Sequence, residues 1–164
     1  MIFWRKPSAG RAYRRLTFAI LLGTSLLATG PAAAQPGITT IATEMDFETL
    51  TGRLEAAIIA NEMILVAKAS ASGAAAKRGI QILGDAVLFI YRNDFAVRML
   101  RADPNAGIEA PVPIHVFETS TGKAGLAYRR PSSIFRPYEN KKLDEMANEL
   151  DVIFDRIVAQ TVLD

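Results

Sequence analysis

The chain carries one histidine, His115, and no cysteine among its 164 residues. A lone imidazole cannot build a two-histidine zinc site or a Cys/His dyad, but it suffices as a general base beside a carboxylate and an arginine. The absence of thiols removes disulfides, thiolate nucleophiles, Fe–S clusters, cysteine zinc sites and covalently attached c-type haem. What remains for a metal is one imidazole ligand among carboxylates, or haem or copper held by His115 and a methionine. Met45, Met63, Met99 and Met146 all fall at apolar positions where a thioether fills gaps in a core, so no metal or other cofactor is expected. Neither Ser72 nor Ser132 sits in a nucleophile elbow. The helical carboxylates Asp144, Glu145, Glu149, Asp151 and Asp155 fall opposite an apolar stripe, as on a solvated surface. No catalytic residue is assigned.

A cationic and aromatic set is the richer signal: Tyr91, Arg92, Arg98, Tyr128, Arg129, Arg130 and Arg136, each near an expected end of a strand or of a short helix. The planar guanidinium fork matches a carboxylate or phosphate, and tyrosine stacks on or hydrogen-bonds a small ligand. If they converge, Tyr91, Arg92, Arg98, His115, Tyr128 and Arg129 make a pocket for a small anionic or aromatic molecule. If they scatter, their stems merely cover the sheet. Gly73, Lys77, Arg78 and Gly79 resemble a phosphate-cradling loop in composition, but the Walker spacing is not met.

These side chains must be positioned by a fold, and the fold begins after a leader. Arg5, Lys6, Arg11, Arg14 and Arg15 precede an apolar run over residues 16–28, which is too short to span a bilayer comfortably. Ala32 and Ala34 then fit a signal-peptidase site, with the mature chain starting at Gln35. The flanks of Arg14 and Arg15 fit twin-arginine export poorly, so general secretion to the periplasm of a Gram-negative bacterium is expected, with no stable membrane span after cleavage. The leader holds five of the nineteen basic residues and none of the acidic ones. Fourteen basic against seventeen acidic residues remain, a net charge of −3, where the whole chain has +2. Nucleic-acid affinity rests on Lys and Arg neutralising phosphates, so nucleic acid is not an expected partner.

Residues 35–164 read as a single domain, long enough to bury a core without disulfides. Residues 38–43 suit a strand. Asp46 caps a helix over 47–61, whose Phe47, Leu50, Leu54, Ala57 and Ile58 recur at helical spacing. A β-branched run at 63–69 is the next strand, and residues 70–79 form a loop with one helical turn. The run from Ala86 to Tyr91 is continuously apolar, which places it centrally in the sheet and covered on both faces. Asp94 caps a short helix that ends at Asp103 and Pro104. Val112, Ile114 and Val116 alternate with Pro113, His115 and Phe117, and Pro113 puts this strand's start at an edge or just outside the sheet. Residues 119–122 turn into a strand over 123–130, ended by Pro131, Ser132 and Ser133. An irregular connection follows over 135–140. The helix at 141–163 is the strongest, with Leu143, Met146, Ala147, Leu150, Ile153, Phe154, Ile157 and Val158 on one stripe. The order β-α-β-β-α-β-β-α predicts a single compact α+β domain, with an antiparallel or mixed sheet and its helices on one face.

The stretches GIEAPVPIHVFET from Gly107, GKAGLAYRRPS from Gly122 and MANELDVIFDRI from Met146 resemble the domain of unknown function number 302 (DUF302) family. The resemblance runs through Pro111, Pro113, Gly122, Pro131 and the Leu150–Asp151 pair, with Asn93 ahead of the short helix, and covers most of residues 38–157. It departs where Asp94 follows Asn93 in place of a proline. It implies a compact α+β fold, often exported, with no established activity. The expected function is therefore that of an exported, non-catalytic module that binds a small ligand or a second copy of itself as a homodimer. The alternative is an enzyme using His115 as general base with a nearby carboxylate and arginine. Glu118, three residues along the same strand, points to the opposite face from His115 and cannot be that carboxylate.

Overall fold

Alternation along the strands builds the domain. The computed structural model describes residues 37–163, so the expected leader and the expected cleavage site between Ala34 and Gln35 lie outside the described residues. Five strands, β1 (Ile38–Ala42), β2 (Ile64–Ala69), β3 (Asp85–Tyr91), β4 (Val112–Glu118) and β5 (Ala124–Arg129), pair antiparallel in the order β1-β5-β4-β3-β2. On the three inner strands every second side chain is buried: Ala86, Leu88 and Ile90; Val112, Ile114 and Val116; Ala124, Leu126 and Tyr128. These define one face, the covered face, because side chains two apart on a strand share a side.

The covering layer comes from α1 (Phe47–Ala60), α3 (Asn93–Ala102) and α5 (Lys141–Val162), with α2 (Ala71–Ala76) and α4 (Pro131–Phe135) as short connectors. Asp46 starts α1 by accepting from the Thr49 backbone N–H at 2.8 Å, and Asn140 does the same for α5 with Lys142 at 3.0 Å. Leu50, Leu54 and Ile58 of α1 and the expected apolar stripe of α5 are buried together. The Tyr128 ring meets that of Phe154 at 5.8 Å, which ties α5 to the sheet. The α+β class, the antiparallel sheet and the one-sided helices follow the order of elements read from the sequence.

Five local expectations are corrected. β3 is not covered on both faces: Asp85, Val87, Phe89 and Tyr91 alternate with its buried residues and are only half-buried. Of the two places expected for Pro113, an edge or just outside the sheet, the edge is wrong, because β4 is the middle strand, and on the β5 side Pro113 stands just beyond the ladder. The Glu118 N–H donates to Gly84 on the β3 side, and alternation from there turns the Pro113 nitrogen toward β5, where pairing ends at Ile114, so no ladder bond is lost. Asp94 lies in the first turn of α3 and pairs with Arg92 instead of capping. Pro131, Ser132 and Ser133 open α4, with proline at the position where a helix needs no N–H, and a 3-10 turn at Arg136–Tyr138 follows within the expected irregular connection.

The fifth correction concerns Asp151, which is buried, not solvated. Its carboxylate accepts from the Ser132 N–H at 3.0 Å, the Ser132 hydroxyl at 2.6 Å and the Arg130 Nε at 3.1 Å. Arg130 also donates to Asp155 at 2.9 Å. The hydrogen bonds it donates to Asp155 and then to Asp151 hold the Arg130 proton more tightly than usual. A carboxylate can be buried only when such donors replace its water, and here they clamp the end of β5 and the start of α4 onto α5.

Candidate functional site

The face of the sheet away from α1 and α5 carries an open groove of about 650 Å³. Val87 and Phe89 of β3, Pro113 and His115 of β4 and Ala127 of β5 belong to this face by register, as the pairs Val87↔His115, Phe89↔Pro113 and His115↔Ala127 show. Ile38 of β1, opposite Arg129, extends it. Ile108, Glu109 and Pro111, from the 3-10 turn Pro104–Glu109 and the entry to β4, border one end, together with Ile134 of α4.

His115 stands half-exposed here, its Nε2 at 2.8 Å from Asp85 Oδ2. The partner comes from the register: Asp85 lies opposite Phe117, so it is the diagonal, same-face neighbour of His115. An ionised carboxylate only accepts, so beside one Nε2 carries the proton and donates it. Nδ1 has no hydrogen-bond partner among the described residues. Phe117 sits beside the imidazole, ring centroids 5.4 Å apart. It is seated there because Gly125 opposite has no Cβ, which would lie 2.8 Å from the Phe117 ring and 2.9 Å from the Ile41 carbonyl. Glu118, on the other face, accepts from the Gly84 N–H at 2.7 Å.

The six expected ligand-binding residues fall in separate places. His115, Arg129 and Tyr128 border the groove, although the Tyr128 ring is turned to the covered side, where burial raises its phenol pKa. Tyr91 and Arg92 border a recess of about 30 Å³ over Phe95, and Arg98 lies with Arg101 and Lys142 on another part of the surface. The guanidinium groups of Arg92 and Arg98 each lie over the Phe95 ring, at 4.4 and 5.3 Å from its centroid. Each guanidinium is already occupied, Arg92 by Asp94 at 2.8 and 3.1 Å and Arg98 by Glu149 at 2.6 and 2.7 Å. The hydrogen bond from Arg92 holds the Asp94 carboxyl below the usual range. Tyr91 donates to Asn93 at 3.3 Å. Arg129, by contrast, has no hydrogen-bond or ion-pair partner among the described residues.

Sequence reasoning missed Asp85, Glu109 and the apolar floor. Asp85 stands one residue ahead of the apolar run and becomes a partner of His115 only once β3 and β4 are known to be neighbours in this register. Among the described residues no three His, Asp or Glu side chains gather as a metal site, and no helix is long and apolar enough to cross a membrane.

Among solved structures, an "uncharacterized conserved protein DUF302 from Bacillus stearothermophilus" shares this fold, with a TM-score of 0.65 over 77% of this chain and 96% of that one. At 16% identity the likeness speaks for the fold alone. No curated protein matches the chain. The family model described as "Domain of unknown function DUF302" matches residues 38–161, from the first residue of β1 to the last turn of α5. That match spans both faces of the sheet, the Asp151 clamp and the groove, and by it the chain belongs to the DUF302 family.

Proposed function

We propose that this DUF302-family protein is an exported, non-catalytic module that holds a small apolar or aromatic ligand with an anionic group on the open face of its sheet. One observation carries the reading: a groove of about 650 Å³ whose floor is apolar and whose polar groups are few and placed, with His115 paired to Asp85 and with Arg129, which has no partner among the described residues. Small-molecule sites have this volume and this balance of apolar wall to directed polar groups. Export is supported by the basic segment, apolar run and Ala32/Ala34 site of the leader.

The His115–Asp85 contact favours a second reading, in which Asp85 orients the imidazole as a general base acting on the bound molecule. Among the described residues no Ser or Thr hydroxyl is hydrogen-bonded to His115, so a base here would act on the ligand itself and not on a protein nucleophile.

The test uses protein recovered from the periplasm, whose mass should begin at Gln35. Backbone amide spectra are recorded during titration with a set of small aromatic carboxylates. Shifts at Val87, Phe89, His115 and Ala127 are expected, and Phe89→Ser should abolish them. If perturbations map elsewhere, or the face is covered by a second copy and no probe enters, the small-ligand reading falls. Turnover of a probe that His115→Gln abolishes while binding persists would replace it with the enzyme.

A further inference from the structure

We infer that the ligand this groove is built for is a zwitterion: a free α-amino acid with a large, flat apolar side chain. The inference rests on the open face being a binding site and comes from two charges at one end of it. Arg129, the last residue of β5, is the one arginine or lysine among the described residues bordering the groove, and it makes no ion pair among them. Glu109, at the end of the 3-10 turn ahead of β4, borders the same groove. Its Oε1 accepts from the neutral Tyr138 hydroxyl at 3.0 Å, and it makes no ion pair among the described residues either.

The two charges share an end because continuing the β4–β5 register one step past Ile114↔Tyr128 sets Arg129 beside Pro113, two residues from Pro111 at the entry that Glu109 precedes. They do not approach within ion-pair distance of each other, so each keeps a valence directed at solvent. A simple anion on Arg129 would sit near the Glu109 carboxylate and be repelled, and a simple cation on Glu109 would be repelled by Arg129. An ammonium and a carboxylate on one carbon answer both with charge-assisted hydrogen bonds. A peptide separates its two termini along the chain, whereas a free amino acid presents both charges from one carbon. From that head group the floor runs over Pro113 and Phe89 toward His115, two residues or about 7 Å along β4, a span that an aromatic side chain covers.

Calorimetric titration of the periplasmic protein with L-phenylalanine, 3-phenylpropionate and phenethylamine tests this. Phenylalanine should bind about tenfold tighter than either analogue, the difference expected of one charge-assisted contact. Glu109→Gln should bring phenylalanine down to the level of 3-phenylpropionate without weakening the latter, and Arg129→Gln should bring it down to that of phenethylamine. If 3-phenylpropionate binds as tightly as phenylalanine, the zwitterion is wrong and the groove reading stands. If none of the three binds while other aromatic carboxylates still shift the Phe89 amide, the same conclusion holds. Failure of every probe overturns both.

Discussion

The two faces of the sheet are made of similar residues and meet different fates. Leu88, Ile114 and Leu126 on the covered face are fully buried, whereas Val87, Phe89 and Ala127, one position along the same strands, are half-buried. Hydropathy does not separate the two sets. The helices do, since α1 and α5 each carry one apolar stripe and both stripes are spent on the same face and on each other. In a two-layer antiparallel fold the second face is commonly polar. Here it keeps Ile38, Val87, Phe89, Pro113 and Phe117, so apolar surface stands where no layer of the described domain covers it. The binding role proposed above rests on this uncovered apolar surface.

The sharpest way to break this comparison is to truncate one ring on each face and measure unfolding in denaturant. Phe154→Ala removes a fully buried ring that meets Tyr128 and should cost about 3–5 kcal/mol. Phe89→Ser, on the open face, should cost no more than about 1 kcal/mol, because its ring has solvent and not a packed layer on one side. Equal losses would mean that the open face is core after all.

The clamp at Asp151 should come next in size. Asp151→Ala strands the Ser132 N–H and hydroxyl and leaves Arg130 with Asp155 alone, a loss of about 2 kcal/mol after discounting for the partial exposure of Arg130. Asp151→Asn keeps an oxygen for the Ser132 N–H and should lose less. The ordering of the two variants in denaturant midpoints checks whether the neutral bonds or the ion pair dominate. If both variants unfold with the wild type, the covered layer is held by its apolar stripes alone.

What was legible in the sequence follows from what each pattern encodes. The stripe of α5 and the alternation of Val112, Ile114 and Val116 each report one face of one element, and both faces are as read. The run from Ala86 to Tyr91 was opaque because a half-buried groove floor and a buried core look alike in residue type. Asp151 looked solvated for the converse reason: a carboxylate beside an apolar stripe reads as surface until the Arg130 and Ser132 donors are brought to it across twenty residues of chain. The site itself depends on which strands are neighbours. His115 could be singled out as the lone imidazole, but Asp85 and Glu109 reach the groove through the order β5-β4-β3 and the turn before β4, which no local spacing records. The arginines were overcounted, since an arginine near a strand end looks the same whether a carboxylate fills its fork, as for Arg92 and Arg98, or no carboxylate among the described residues does, as for Arg129.

The smallest expected effect is at the outer rim of the covered layer, where Arg98 of α3 grips Glu149 of α5 with both partners largely exposed. Glu149→Gln should cost less than about 1 kcal/mol at neutral pH, because solvent and salt screen such a pair. Its pH dependence is the informative part. The hydrogen bond from Arg98 holds the Glu149 carboxyl below its ordinary value of 4.5 in the folded protein. A depressed carboxyl contributes stability that is complete above the unfolded value and fades as pH falls through the folded one. The gap between wild type and Glu149→Gln should therefore be widest at neutral pH and close in acid, and it should narrow with added salt. A gap that persists below the carboxylate range would show that Glu149 holds α3 against α5 by packing and not by charge. The covered face would then be apolar in its energetics out to its rim, and its contrast with the charge-tipped groove on the other side would be sharper still.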